Sequence, residues 1–319
     1  MILTPDHTLS FGTASIGGLY KPVSSDEAHA VLQSAWDAGI RYFDTAPHYG
    51  NGSSEHRVGD FLRDKSGWVL STKVGRVLTP DANPPDAING FYSALPFKQH
   101  FDFTYDAIMR SVEDSFQRLG LNRIDILYVH DIGDSGAGTD TIEHRAQLRD
   151  SGERALRDLK QQGVISAVGL GVNTVEICEE LLGEIEIDLI LLAGRYTLLE
   201  QTARDWLFPL LDQQGAKLVI GGVFNSGILA TGPVEGARYN YAPAPKAIME
   251  RTAKIATICA RHDVPMAAAA IQYPAQSDHV VSTLIGTSKP SSLLRNVAQF
   301  RADLPAAIWD DLRNAGIIA

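Results

Sequence analysis

Ser25-Asp26-Glu27-Ala28-His29-Ala30-Val31-Leu32-Gln33-Ser34-Ala35-Trp36-Asp37-Ala38-Gly39-Ile40-Arg41-Tyr42-Phe43-Asp44 holds one complete helix-to-strand transition and sets the pattern for the whole chain. Ala28, Val31, Leu32, Ala35 and Trp36 recur at helical spacing, which puts one apolar face on a helix that Ser25 is expected to cap. Gly39 supplies the permissive backbone that ends it, and Ile40 to Asp44 then reads as a strand. The unit recurs. Ser54 opens a helix carrying Val58, Phe61 and Leu62, and Trp68-Val69-Leu70-Ser71-Thr72-Lys73 follows as a strand. Thr104 starts a longer helix with Ile108, Val112, Phe116 and Leu119 on one face, closed by Gly120, ahead of the strand Ile124-Asp125-Ile126-Leu127-Tyr128-Val129. Further strands are expected near 164–171, 187–192, 216–221 and 280–285. One more in the Gly-rich segment Phe11-Gly12-Thr13-Ala14-Ser15-Ile16-Gly17-Gly18 makes eight.

Strands separated by helices pair in parallel through right-handed crossovers. Eight such units in 319 residues favour closure. The expected α/β fold is a single (β/α)8 TIM barrel over 1–319, with an N-terminal strand segment, extended βα loops and extra C-terminal helices. A composition of 45% apolar and 21% charged residues can fill such a core. No stretch approaches the roughly 20 apolar residues of a membrane span, and the start lacks a basic region and an apolar signal core, so a cytoplasmic protein is expected. Cys178 and Cys259 lie in amphipathic stretches without a CxxC or Cys/His cluster, which reads as buried free thiols and no metal. The net charge of −10 is dispersed with no basic stripe, which argues against nucleic acid as a partner.

In a barrel of this kind chemistry gathers where the strands end. Three apolar strands end in ionisable residues, Asp44, Lys73 and His130, and Tyr49 follows in the loop Asp44-Thr45-Ala46-Pro47-His48-Tyr49-Gly50. A phenol titrates near pH 10 in water and carries protons poorly at neutrality, but an adjacent ammonium favours the phenolate. Lys73 can supply that charge, Asp44 can hold Lys73 protonated and oriented, and His130 can donate to a substrate oxygen. His48, beside Tyr49, is a second candidate for touching substrate.

The segments Asp44-Thr45-Ala46-x-x-Tyr49-Gly50, Ser71-Thr72-Lys73 and Asp125-Ile126-Leu127-Tyr128-Val129-His130-Asp131 resemble the signatures of the aldo-keto reductase superfamily over essentially the whole chain. The resemblance implies a catalytic tetrad of Asp44, Tyr49, Lys73 and His130, and a nicotinamide dinucleotide bound in extended form. By the same resemblance the cofactor would touch Gly12, Thr13, Ala14, Asp44 and Asn173 near the nicotinamide. Phe224, Asn225, Ser226, Gly227 and Leu229 would meet the pyrophosphate, and Ile285, Gly286, Thr287, Ser288, Lys289, Ser292, Arg295 and Asn296 the adenosine end. The chain departs from the family pattern at Ala193-Gly194-Arg195-Tyr196, where many relatives carry a Gln that holds the carboxamide. It departs again at Gly222, where an aromatic ring commonly stacks, and Phe224 is the candidate substitute. Gly286 and Ser292 stand where NADP-preferring members usually place basic groups, so NAD is expected over NADP.

The segment from Val77 to Phe103 is long and aromatic, and is expected to fold over the mouth as a loop; 133–138 is a second lid candidate. Tyr20, Phe91 and Tyr92, with Tyr49, His48 and His130, are the candidate substrate contacts. Phe11 to Tyr20 and Val129-His130-Asp131 are similar to the branch of the superfamily that oxidises L-fucose and other D-threo-aldoses, L-galactose and pyridoxal. These small molecules exist largely as cyclic hemiacetals, so the resemblance implies lactone formation. An aldehyde or ketone reductase shares all of these residues. A channel-auxiliary binding subunit is a remoter relative that would need a membrane partner. The chain is expected to act as a monomer or weak homo-oligomer.

Overall fold

The computed structural model describes residues 2–92, 94–240 and 242–319, and within them eight parallel strands close into a barrel. The strands are β1 (Leu9–Gly12), β2 (Tyr42–Asp44), β3 (Val69–Val74), β4 (Ile126–His130), β5 (Ala167–Val172), β6 (Leu189–Ala193), β7 (Lys217–Gly221) and β8 (Val280–Ile285). They pair in chain order, and β8 returns to β1. Helices α1 (Ser25–Asp37), α2 (Ser53–Leu62), α3 (Tyr105–Leu119), α4 (Glu153–Gln161), α5 (Glu176–Leu181), α6 (Phe208–Gln214) and α7 (Met266–Gln272) occupy the seven crossovers. After β8 come α8 (Pro290–Arg301) and a helix over Ala307–Asn314, and the β7–β8 crossover carries an additional helix over Lys246–Arg261. This is the TIM barrel that the alternation predicts.

Local differences have local causes. Ser24, and not Ser25, caps α1: its Oγ accepts from the Glu27 amide at 3.2 Å while the Glu27 carboxylate accepts from the Ser24 amide at 2.8 Å. The Ser-x-x-Glu spacing that makes this reciprocal pair starts one residue earlier than the apolar stripe suggests. The strand after it begins at Tyr42 instead of Ile40; Arg41 lays its guanidinium 3.8 Å from the Trp36 ring centre while its carbonyl accepts from the Val69 amide at 2.8 Å. Both cysteines are buried and free, as expected. Among the described residues no helix is long and apolar enough to cross a membrane.

Two apolar layers hold the barrel. The larger lies between strands and helices, from Val31 and Leu32 of α1 round to Leu293 and Val297 of α8. The smaller fills the barrel itself, with Leu3 closing its lower end and Tyr42, Ile126, Tyr128, Leu191 and Val219 above it. Two tyrosines in this interior need partners, and they find each other: the Tyr42 and Tyr128 hydroxyls are 3.0 Å apart, and Ser71 Oγ is 3.1 Å from Tyr42. Gly169 of β5 makes room for them. A Cβ there would stand 2.6 Å from the Tyr128 ring and 2.3 Å from the Leu189 carbonyl oxygen.

The long segment after β3 is more ordered than a loop. Arg76–Pro80 pairs antiparallel with Phe97–Phe101, and a shorter hairpin joins Ala87–Ile88 to Phe91–Tyr92. Pro80, Pro84 and Pro85 disguise these strands in the sequence, because they read as breakers when in fact they lie at and beyond the hairpin's end. The shorter hairpin is tied across the top of the barrel. Leu19 bridges to Phe91, the Tyr20 amide donates to Gly90 O at 2.9 Å, and the Tyr92 amide donates to Gly18 O at 2.9 Å. Gly18 (φ +96°) permits the approach, since a Cβ there would meet the Tyr92 carbonyl oxygen at 2.2 Å.

Gly169→Ala is expected to destabilise the barrel by roughly 1–3 kcal/mol through overpacking against Tyr128, read as a lower Tm in thermal unfolding. An unchanged Tm would show that the interior yields at no cost.

Candidate active site

Asp44 ends β2, His130 ends β4, and Lys73 lies one residue inside the end of β3, so all three emerge at one rim. In register, Asp44 stands beside Gly12 on one side and Ser71 on the other, and His130 beside Gly171. Lys73 Nζ donates to Asp44 Oδ2 at 2.7 Å and to Thr45 O at 2.8 Å, and Ser71 Oγ donates to Asp44 Oδ1 at 2.7 Å. Both carboxylate oxygens are therefore occupied, and two of the three ammonium protons are placed. The pair is buried, each side chain only 1% exposed. Burial pushes the Asp44 carboxyl up and the Lys73 ammonium down, and their contact opposes both shifts.

Tyr49 follows in the turn after β2, and Lys73 Nζ lies 4.7 Å from the centre of its ring. His130 meets that ring edge-on at 5.9 Å, and Phe91 of the tied hairpin stacks on it at 6.0 Å with a 26° tilt. His130 is buried, its Nδ1 has no hydrogen-bond partner, and its Nε2 is 3.5 Å from Asp131 Oδ2. Burial first, and then the charges of Arg76 and Lys73, push this imidazole well below its usual range, so it stands neutral. The four residues expected to act together are thus brought together.

The sequence reading did not single out the ion pair that frames them. Arg76 Nη2 contacts Asp131 Oδ2 at 2.5 Å with both side chains largely buried. Asp131 Oδ1 accepts from Asn173 Nδ2 at 3.2 Å, and the same nitrogen lies 3.1 Å from Asp134 Oδ2. A signal existed: Arg76 follows Lys73 by three residues and Asp131 follows His130 by one, so two opposite charges had to surface at the same mouth. The segment 133–138 closes on itself, with Asp134 Oδ1 accepting from the Gly136 and Ala137 amides and Thr139 Oγ1 bonded to Asp131 O.

The candidate substrate contacts divide. His48 and Phe91 pack with Tyr49, their rings 5.1 Å apart. Tyr20 and Tyr92 lie farther out, 63% and 41% exposed, on the outer side of the backbone bridge.

The candidate dinucleotide residues line the rim from β1 across to β7. Thr13 Oγ1 donates to Asp44 O at 2.7 Å, so its hydroxyl secures the site from within. Gly222 (φ +63°) has no room for the stacking ring that the family pattern suggests: a Cβ there would lie 3.0 Å from the Gly194 amide nitrogen. Phe224 packs half-buried against the core. Asn225 spends its side chain on Thr197 Oγ1 at 2.6 Å and Gly194 O at 3.2 Å, Leu229 is wholly buried, and their amides already donate to Gly222 O and Phe224 O. Asn225, Ser226 and Gly227 take successive left-handed conformations in a tight turn whose Asn225 and Gly227 amides donate to Gly222 O at 2.9 Å and Phe224 O at 3.0 Å, and a Cβ on Gly227 would face open space. Ile285 is buried, and Gly286 is exposed, where a Cβ would stand 3.0 Å from Gly12 O. Thr287 Oγ1 then accepts from the Lys289 amide at 3.1 Å, just ahead of the start of α8. Ser288 and Asn296 are half-buried, while Lys289 and Arg295 are exposed and Arg295 donates to Ser292 Oγ at 3.2 Å. Gly12, Gly222 and Gly286 keep this part of the rim free of side chains, and exposed Lys289 and Arg295 stand beyond β8, which fits an extended dinucleotide.

A family model described as the aldo/keto reductase family matches residues 8–317. The chain is 45% identical over 324 residues to a pyridoxal 4-dehydrogenase of Microbacterium luteolum, covering 98% of this chain and 94% of that protein. It is 42% identical over 318 residues to a D-threo-aldose 1-dehydrogenase of a Pseudomonas species, covering 97% and 94%. Its fold matches that of an aldo-keto reductase from Bacillus halodurans, solved in its holo form, with a TM-score of 0.73 and 25% identity over 96% of this chain and 91% of that one.

The neutral histidines carry a stability signature. Burial and the Arg76 charge push His48 down to about 3, and His130 is also pushed down. Between that value and the unfolded value near 6.5, the unfolded chain binds more protons than the folded one, so stability falls as pH drops through this window. Each histidine contributes up to about 1.4 kcal/mol per pH unit. Urea unfolding at pH 7, 6 and 5 should show a progressive loss, reduced in His48→Leu; a flat profile would mean that the site admits protonated imidazole.

Proposed function

This chain belongs to the aldo/keto reductase family and is an oxidoreductase acting on CH–OH groups, and we propose that it oxidises a cyclic hemiacetal to its lactone with NAD. The observation that carries this reading is Lys73 Nζ, fixed between Asp44 Oδ2 and Thr45 O and 4.7 Å from the Tyr49 ring centre. A positive charge so placed stabilises the phenolate, and Asp44 keeps it from turning away. Tyr49 is then the base that takes the hemiacetal hydroxyl proton, and His130, neutral, orients the reacting oxygen. Phe91, 6.0 Å away and tilted 26°, covers one face of the Tyr49 ring.

The residues that would hold the cofactor are Gly12, Thr13 and Ala14 at the rim, Asn173 beside the nicotinamide, the Phe224-to-Gly227 turn with Leu229, and Ile285 to Asn296 beyond β8. When bound there, a nicotinamide dinucleotide supplies the acceptor for the hydride that leaves the hemiacetal carbon. NAD is the form favoured, because Gly286 and Ser292 themselves provide no cation for a 2′-phosphate.

The substrate class follows from the two relatives. One is named for pyridoxal and the other for D-threo-aldoses, and both kinds of molecule close into a ring by adding a hydroxyl to their own aldehyde. L-Fucose, L-galactose and pyridoxal are the members to try. The tied hairpin, with Phe91 inside, suits a small ring better than a long chain. The site needs no partner subunit in this reading, and a cytoplasmic monomer or weak homo-oligomer is consistent with it.

Purified protein with NAD and each of these three compounds should generate reduced cofactor, followed by its absorbance; no turnover with any of them ends the hemiacetal reading. Tyr49→Phe should lower kcat by about 10²–10⁴-fold, the usual worth of a positioned acid or base, with dinucleotide affinity retained. Undiminished turnover in that variant would remove Tyr49 from its role.

A further inference from the structure

Gln99 lies in the second arm of the longer hairpin and belongs neither to the tetrad nor to the candidate dinucleotide residues. Its neighbours determine which end of its amide is oxygen. Arg76 Nη1 lies 3.0 Å from one end, and a guanidinium only donates, so that end is Oε1. The other end, Nε2, lies 2.6 Å from Asn51 Oδ1. Asn51 is oriented in turn, because its Nδ2 sits 3.1 Å from Leu95 O and 2.6 Å from Phe97 O, which only accept. Two independent ends of the network therefore give one orientation.

His48 Nδ1 is 2.9 Å from the same Gln99 Oε1, and a carbonyl oxygen cannot donate, so the proton sits on Nδ1. Burial and the charges of Arg76 and Lys73 keep the ring neutral. A neutral imidazole with its proton on Nδ1 carries a lone pair on Nε2. That nitrogen has no hydrogen-bond partner among the described residues. The ring stands 6.0 Å from Tyr49, 5.1 Å from Phe91 and 5.6 Å from His130, and it is half-buried, not sealed. An acceptor of fixed direction thus belongs to the same mouth as the tetrad.

We propose that His48 Nε2, held as an acceptor by the positioning residue Gln99, selects substrates that carry a hydroxyl donor beside the reacting carbon. This rests on the hemiacetal reading and deepens it: Tyr49 and His130 hold the reacting oxygen, and His48 takes the proton side of the neighbouring hydroxyl. The 2-hydroxyl of an aldose belongs to this class. A simple aliphatic aldehyde offers no donor and leaves the acceptor desolvated and unpaired, which is the costly outcome in a site built for a hydrogen bond.

The test compares kcat/KM for L-fucose and 2-deoxy-L-fucose, with L-galactose and its 2-deoxy analogue as a second pair. The wild-type protein should prefer the hydroxylated sugar by roughly 10- to 100-fold. His48→Leu should bring the ratio close to one, and Gln99→Leu should reduce it. Equal kcat/KM for the two sugars in the wild type overturns the selection. Independently of turnover, ¹⁵N–¹H correlation spectra of histidine-labelled protein, with His48 assigned by its loss in His48→Leu, should show the proton on Nδ1. A proton on Nε2 overturns the acceptor whatever the turnover of any variant. If no hemiacetal is turned over at all, the reading of the preceding section falls, and the spectra still decide the tautomer.

Discussion

An ammonium and a carboxylate in contact inside the rim of a barrel constrain nearly everything around them. Removing two such charges from water costs several kcal/mol apiece, and the cost is tolerable only where geometry is close and every remaining polar atom is satisfied. Lys73 and Asp44 meet that condition through Ser71 Oγ and the Thr45 carbonyl. Adjacent strands in parallel register are what make it workable, since Asp44 of β2 lies directly beside Ser71 of β3. The same register sends Tyr42 and Tyr128 into the barrel interior, where Ser71 also touches Tyr42, so the packed core and the reacting rim share one serine.

A second buried pair, Arg76 with Asp131, closes the other side of the mouth. It joins the first residue of the long hairpin to the residue after His130 and so couples the covering segment to the barrel. Neutral imidazoles follow from this arrangement. With two cations fixed nearby, His48 and His130 stay neutral, and because His48 Nδ1 already donates to Gln99, its Nε2 is the nitrogen left to face a substrate. Phe91 and Gln99, on two different strands of the covering segment, reach the same small space, which ties the choice of substrate to a part of the chain outside the eight βα units.

The barrel was legible because helical and strand periodicities alternate from Ser25 to Ile285 on either side of the covering segment, and each strand's last residue could be read as a rim position. Asp44, Lys73 and His130 were found by that rule alone, and Tyr49 by its distance from Asp44. The covering segment was not legible. Its two hairpins pair residues up to 25 positions apart, Arg76 with Phe101, across prolines that read locally as breakers. Nothing in the sequence near Gln99 points to His48, because their contact depends on how the hairpin lies over the barrel and not on any local pattern.

What the sequence determined by itself was therefore the scaffold and the identity of the groups on its rim, because periodicity and strand ends are local properties of the chain. What only the tertiary structure decided was the state of those groups: which nitrogen of His48 bears the proton, which charges balance Lys73 and Asp131, and which of the proposed cofactor residues have side chains to spare. Protonation and hydrogen-bond direction depend on burial and on neighbours distant in sequence, and those exist only once the barrel has closed.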